Sequence, residues 1–236
     1  EPFIVKIPFL RGCYRLIETV SVGVKSLSYS ASESSGEDEK LSSFEFFVTL
    51  ALSIVMTFVL FYLVPLLITK LLTNSIGLLF NLIDGIIRIA VFLIYLFVIS
   101  LMPDIKRIFQ YHGAEHMTVS CYEKGEKLTV KNVRKFSTLH PRCGTNFIII
   151  VLVLSIFFFA FLPVNGFFEK LLTRIILLPV IAGVSYEFLR IAGKFYSNPI
   201  IKVLFSPGIL LQKITTKQPD DSMIEVAIKA LKLAVK

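Results

Sequence analysis

Four stretches of this chain are too long and too apolar to be hidden inside a soluble domain. They run from Phe44 to Leu72, from Gly77 to Met102, from Asn146 to Val164 and from Leu171 to Gly193. A helix crosses the hydrocarbon of a bilayer with about 20 mostly apolar residues. Of the 236 residues, 55% are hydrophobic and only 18% charged, so too little polar surface remains to cover a water-soluble fold. The expected fold is all-α, a polytopic membrane protein with four transmembrane helices and amphipathic cytoplasmic helices beside them. Pro65 is expected to kink the first span. None of the four is expected to be a cleavable leader, the first long apolar run being too far along the chain.

Lys and Arg in the connections predict the orientation. The segment before Phe44 carries Lys6, Arg11, Arg15, Lys25 and Lys40, and the segment after Gly193 carries seven Lys. The long middle loop carries Lys106, Arg107, Lys124, Lys127, Lys131, Arg134, Lys135 and Arg142. The two short connections hold only Lys170. Both termini and the middle loop therefore share one side, which the positive-inside rule makes cytoplasmic. The formal charge of +8 then reports topology and headgroup contact, and calls for no nucleic acid. In a reducing cytoplasm Cys13, Cys121 and Cys143 are thiols.

Five regions follow: 1–43, 44–102, 103–145, 146–193 and 194–236. Pro8 to Tyr29 has the spacing of an amphipathic helix, with Phe9, Cys13, Leu16, Val20, Val24 and Leu27 on one stripe. Ser30 to Lys40 is polar and acidic and reads as a flexible linker. Asn198 to Ile214 is apolar but broken by Pro199 and Pro207-Gly208, so an interfacial or re-entrant segment is expected. Asp220-Asp221 caps a last helix with Ile224, Ile228, Leu231 and Val235 on its apolar face. Asp84 and Arg88 stand four apart in the second stretch and are expected to pair inside the bundle.

The loop 103–145 carries the chemistry. Pro103 opens a helix whose apolar stripe runs Ile105, Ile108, Phe109, His112, His116, Val119. Two imidazoles thus occupy positions where the pattern asks for buried residues. The third His of the chain, His140, lies in the same loop, with Cys121 and Cys143. His112 and His116 are one helical turn apart and can present two nitrogens to one metal. His140 and Cys143 sit three apart in a turn and make a plausible second ligand pair. His112-Gly-Ala-Glu115-His116 matches H-x-x-E-H, in which two His hold zinc and the Glu is the general base. Glu187, near the inner end of the fourth span, is a candidate for the further carboxylate, or else pairs with Arg190 or Arg88. Arg142 lies between the second pair of candidates and could hold an anionic substrate. Cys121 has no ligand-like spacing and reads as a small buried residue. A helix-face His pair also occurs as a buried, hydrogen-bonded pair without metal.

Phe109–Phe147 (with YHGAEH and HPRCGT inside it), Leu177–Gly193 and Gln218–Leu231 resemble the YqhQ-type family of bacterial and plastid multi-span membrane proteins, a domain of unknown function. The resemblance runs from about Ile7 to the C-terminus. It implies a bacterial inner membrane or thylakoid-like location and no known reaction.

Two functions compete. The first is a membrane-embedded, metal-dependent hydrolase with zinc or another divalent metal on His112 and His116, helped by His140, Cys143 or Glu187. Glu115 is then the base, and the substrate is a lipid, a lipid-linked molecule or a peptide at the cytoplasmic surface. The second is a non-enzymatic protein whose His/Cys site clamps the loop and docks a membrane-protein partner or a second copy. A transporter ranks last, because few ionisable residues lie within the spans.

Overall fold

A computed structural model describes residues 3–34, 43–73, 77–161 and 167–235. Among the described residues every regular element is helical. Helix α1 spans Leu10–Ser34, so the residues expected to begin a linker continue as helix to Ser34, and 35–42 lie outside the described residues. Next come α2 (Ser43–Phe58), a π-helical turn (Val59–Leu63), α3 (Val64–Leu72), α4 (Leu78–Ser100) and α5 (Pro103–Glu123). The single turn α6 (Val130–Val133) precedes α7 (Gly144–Ala160), α8 (Phe167–Phe195), α9 (Pro199–Thr215) and α10 (Asp221–Ala234). Among the described residues three helices are long and apolar enough to cross a membrane: Phe47–Leu72, Leu78–Ser100 and Leu172–Phe195. Most of their apolar side chains are left unburied by the rest of the protein, which suits hydrocarbon as the solvent. Helix α7 is also apolar but has 17 residues, and the expected end of that stretch at Val164 falls outside the described residues.

The chain divides into two compact units. The first comprises Glu1–Phe92 and Leu152–Glu187. The effect of Pro65 appears as the π-helical turn just before it. Proline has no N–H to give the carbonyl four residues back, and here the Val64 N–H reaches the Val59 carbonyl, five residues back. Helix α1 lies against α8 through two glycines. A Cβ on Gly183 would meet the Phe9 carbonyl at 2.7 Å, so only glycine admits this approach. Arg11 then reaches both carboxylate oxygens of Glu187.

The second unit comprises Leu93–Val151 and Phe188–Lys236. Its core is built by α5, α6 and α10. Ala114, Met117, Cys121, Val133, Met223, Ile224 and Ile228 form it. The Asp220 side chain accepts the Met223 N–H at 2.9 Å and starts α10 as expected. Ile224 is fully buried and Ile228 nearly so, whereas Val235 is 49% exposed; the expected stripe therefore works only in its first two turns. Thr129 caps α6 through the Asn132 N–H, but that helix ends at Val133, short of the expected Phe136. Gly125 makes the turn after α5 with a φ of +70°.

Helix α9 corrects one expectation. It runs unbroken through Pro207. The proline strands the carbonyl of Val203, and the neighbouring Ser206 hydroxyl donates to that same oxygen at 2.7 Å. The break foreseen from sequence is thus repaired by the preceding residue. Gly208 then lets Asn146 press against the helix.

Candidate metal centre

Helix α5 turns two faces to the second unit. Ala114, Met117 and Cys121 face the apolar core, and His112 and His116 lie on the adjoining face with ring centroids 4.4 Å apart. Gly113, between them, is where the C-terminal segment crosses. A Cβ there would collide with the Lys217 carbonyl. The close pass is fixed by the Lys217 N–H on the Phe109 carbonyl at 2.8 Å and by the Gln110 amide on the Gln218 carbonyl at 3.1 Å. It brings the Thr215 carbonyl 2.8 Å from His112 Nδ1. On the next turn, His116 Nδ1 lies 2.6 Å from the Thr138 carbonyl. A carbonyl only accepts, so both Nδ1 atoms carry the proton, and Nε2 is the nitrogen each ring has left for another partner.

Cys143 stands beside these rings. It directly precedes α7, and its sulfur accepts the Thr145 N–H at 3.3 Å and lies 3.1 Å from the Thr145 hydroxyl. A thiolate is favoured at a helix N-terminus. His112 Nε2 stands 3.3 Å from the sulfur. Ligand atoms of His112, His116 and Cys143 all lie within 4.8 Å of one another. Neighbouring nitrogen and sulfur ligands on a tetrahedral zinc are about 3.6 Å apart, close to the 3.3 Å between His112 Nε2 and the Cys143 sulfur. Burial opposes ionisation of Cys143 most strongly of any single influence. The hydrogen bonds from His112, His116 and Thr145 together outweigh it and bring the thiol down to about 5. Burial likewise disfavours the charged form of His112, but its contacts with Cys143, Thr215 and Glu115 raise it above the ordinary value.

His140 stands beside this trio, its ring centroid 5.8 Å from that of His116. Its nitrogens are already engaged. Nδ1 accepts the Arg142 N–H at 3.3 Å, and Nε2 faces Glu123 at 3.4 Å. Burial and the nearby His116 hold its imidazole below the ordinary value, against the opposing pull of Glu123. Arg142 donates to Glu123 at 2.6 Å and to the Gly193 carbonyl at 3.4 Å. Gln212, fully buried on α9, accepts the His140 N–H at 2.8 Å and donates to the His140 carbonyl at 2.9 Å and to Asn146 at 3.4 Å. Glu115 is exposed, and its charge acts on His112. Cys121 is wholly buried in the apolar core, and burial raises its thiol.

Three candidates belong to the first unit. Glu187 pairs with Arg11, a partner not among those its spacing suggested. Asp84 and Arg88 pair at 2.8 Å, and Arg174 joins the same carboxylate oxygen at 3.0 Å.

Sequence reasoning missed Glu123, Gln212, Thr145 and the two carbonyls. Glu123 had a signal: seven residues after His116, it returns to the same helix face. Gln212 had a weaker one, as an amide among Phe205, Leu211 and Thr215 on the buried stripe of α9. Backbone carbonyls leave no trace in residue identity.

A family model described as "Protein of unknown function (DUF1385)" matches residues 7–236. The "Uncharacterized protein YqhQ" of Bacillus subtilis (strain 168) is 37% identical over 246 residues, covering 95% of this chain and 76% of its own. No solved structure matches the chain significantly.

Proposed function

The chain belongs to the DUF1385 family, and from its His/Cys cluster we propose that it is a membrane-embedded, metal-dependent enzyme, a hydrolase working with zinc at the cytoplasmic membrane surface. One observation carries this reading. Both imidazoles donate Nδ1–H to a backbone carbonyl, and their ligand atoms lie within 4.8 Å of one another and of the Cys143 sulfur. Zinc-ligating histidines are oriented in this way by their outer partners, and a two-nitrogen, one-sulfur set suits zinc. With His140 engaged by Arg142 and Glu123, three protein ligands leave a fourth position open, the pattern of a catalytic rather than a structural site.

When bound, zinc supplies a Lewis acid and brings the pKa of water at that position to about 7. His112, His116 and Cys143 hold it. Glu115, exposed between the two imidazoles, is the proposed proton acceptor. His140, its Nε2–H turned to Glu123, can hold a proton at a second point. Arg142 is committed to Glu123, so anion recognition by it requires that pair to open. The Lys/Arg distribution and the three long apolar helices support four spans with α7 included, both termini cytoplasmic, in a bacterial inner membrane. A lipid, a lipid-linked molecule or a peptide then fits as substrate.

A second reading is favoured by Gln212, which ties α9 to both backbone groups of His140 without any metal. On it the cluster is a clamp that shapes a docking surface for a membrane partner or another copy. Metal analysis of the purified full-length protein separates the two. The enzyme reading expects one zinc per chain, lost in His112→Ala and Cys143→Ala and kept in His140→Ala and Glu115→Gln. A metal-free wild type overturns it, and a loss in His140→Ala as complete as in His112→Ala marks a closed, structural site.

A further inference from the structure

Asp84 does not balance the two guanidiniums around it. It carries one negative charge, and Arg88 and Arg174 carry two positive ones that proteins do not neutralise. The side chains are 2%, 14% and 8% exposed in that order. All three belong to helices long and apolar enough to cross a membrane. Among the described residues neither guanidinium meets a second carboxylate. The Tyr62 ring takes part of the surplus charge, with its centroid 5.1 Å from Arg174 and 5.7 Å from Arg88. Phe159 also faces Arg174, at 5.1 Å. Aromatic faces attract a cation but do not cancel it.

The hydrogen bonds stop short as well. Both arginines use Nη2 on a single oxygen, Asp84 Oδ2. Arg88 Nε, Arg174 Nη1, Asp84 Oδ1 and the Tyr62 hydroxyl are buried with no partner. These side chains line a cavity, together with Asn81, Ser155 and Phe159, that has room for one water-sized sphere. Two unpaired N–H donors, an excess positive charge and a small space occur together. Water would serve the donors and leave the charge. A monovalent anion serves both.

We propose that this pocket binds one monovalent anion, with Arg88 Nε and Arg174 Nη1 as its donors. The space takes a single acceptor atom, so the occupant is a halide ion or one oxygen of a phosphodiester. The first comes from solution and the second from a phospholipid headgroup. This site is independent of the His/Cys cluster and of any reaction there.

The test uses lipid-depleted full-length protein in an uncharged detergent. In one arm, sodium gluconate is replaced by sodium chloride at constant ionic strength. In the other, phosphatidylglycerol is added in gluconate, with diacylglycerol as the phosphate-free control. A bound anion raises the melting midpoint by about 4 °C or more at saturation. A rise with chloride alone identifies a halide site, and a rise with phosphatidylglycerol alone identifies the phosphodiester. Arg174→Gln leaves a balanced Asp84–Arg88 pair and should lose the rise while staying folded. Asp84→Asn leaves two unopposed cations and should show a larger rise, at lower anion concentration. No rise in either arm overturns the proposal, as does an equal rise in Arg174→Gln. If Arg174→Gln does not fold, Asp84→Asn decides: a rise no larger than wild type overturns it.

Discussion

Two buried polar clusters of this protein, one in each unit, are built on opposite principles. In the second unit, each imidazole has one nitrogen satisfied by a backbone carbonyl and stands within ligand distance of the Cys143 sulfur. In the first unit, two arginines crowd one carboxylate oxygen, and four buried polar atoms are left without partners. The first arrangement is neutralised and oriented by the fold itself. The second is left with net charge by the fold. A pre-oriented lone pair calls for a cation, and an unspent N–H beside surplus positive charge calls for an anion. The same test of which atoms remain unsatisfied therefore assigns opposite ligand chemistry to the two groups.

The contrast breaks most sharply at Asp84. Removing one partner of a buried ion pair strands the other, at a cost of about 3–5 kcal/mol. Asp84→Ala strands two guanidiniums, so a loss at the top of that range is expected in anion-free detergent, read by chemical or thermal unfolding. A loss below about 1 kcal/mol would mean the arginines are already solvated, and the contrast would disappear. The next effect is at Gly113. A methyl group there meets the Lys217 backbone rather than a flexible side chain, and overpacking of this kind costs about 1–3 kcal/mol. Gly113→Ala should also push the Thr215 carbonyl off His112 and reduce zinc content. Unchanged zinc in that variant would mean that His112 needs no such orientation.

The regions differ too in how far their residues announced them. The apolar stretches were legible because hydrocarbon solvent imposes length and composition, and three of them emerge as helices long enough to cross. His112 and His116 were legible because one helical turn separates them, and Cys143 because it closes a turn next to a third His. His140 was equally prominent, yet its nitrogens went to Arg142 and Glu123. That outcome depends on where α5 ends against the turn before α7, a tertiary fact. Arg174 was invisible as a partner of Asp84, because they are 90 positions apart and nothing in either segment encodes their approach. Pro207 misled for the opposite reason, since its rule is local but so is its repair by Ser206.

Gln212 gives a smaller, cleaner perturbation of the second unit. Its amide satisfies both backbone groups of His140. Gln212→Leu keeps the volume and leaves those groups unpaired, at about 1–3 kcal/mol. Zinc affinity should weaken less than in Cys143→Ala, since the lost contacts lie behind the ligand shell. Equal losses in the two variants would make His140 a ligand.

The last perturbation changes no residue and costs no stability. Cys143 and Cys121 sit in one unit with thiols shifted in opposite directions, one down to about 5 and the other upward by burial. In metal-stripped protein at pH 6.5, Cys143 is therefore mainly thiolate and Cys121 thiol. Only the thiolate is alkylated, so iodoacetamide should label Cys143 before Cys121. Its rate should stay nearly flat from pH 6 to 8, because ionisation is already complete there. It should fall as pH drops through about 5, where the thiolate takes its proton. Cys121 labelling should instead climb about tenfold per pH unit across the same range. The ratio of the two rates is thus largest at low pH and shrinks as pH rises. Added zinc should protect Cys143 and leave Cys121 unaffected. A Cys143 rate that climbs tenfold per unit up to about pH 8.5 would be that of an ordinary thiol. The cluster would then lack its anionic ligand, and the imidazoles would be facing a neutral S–H.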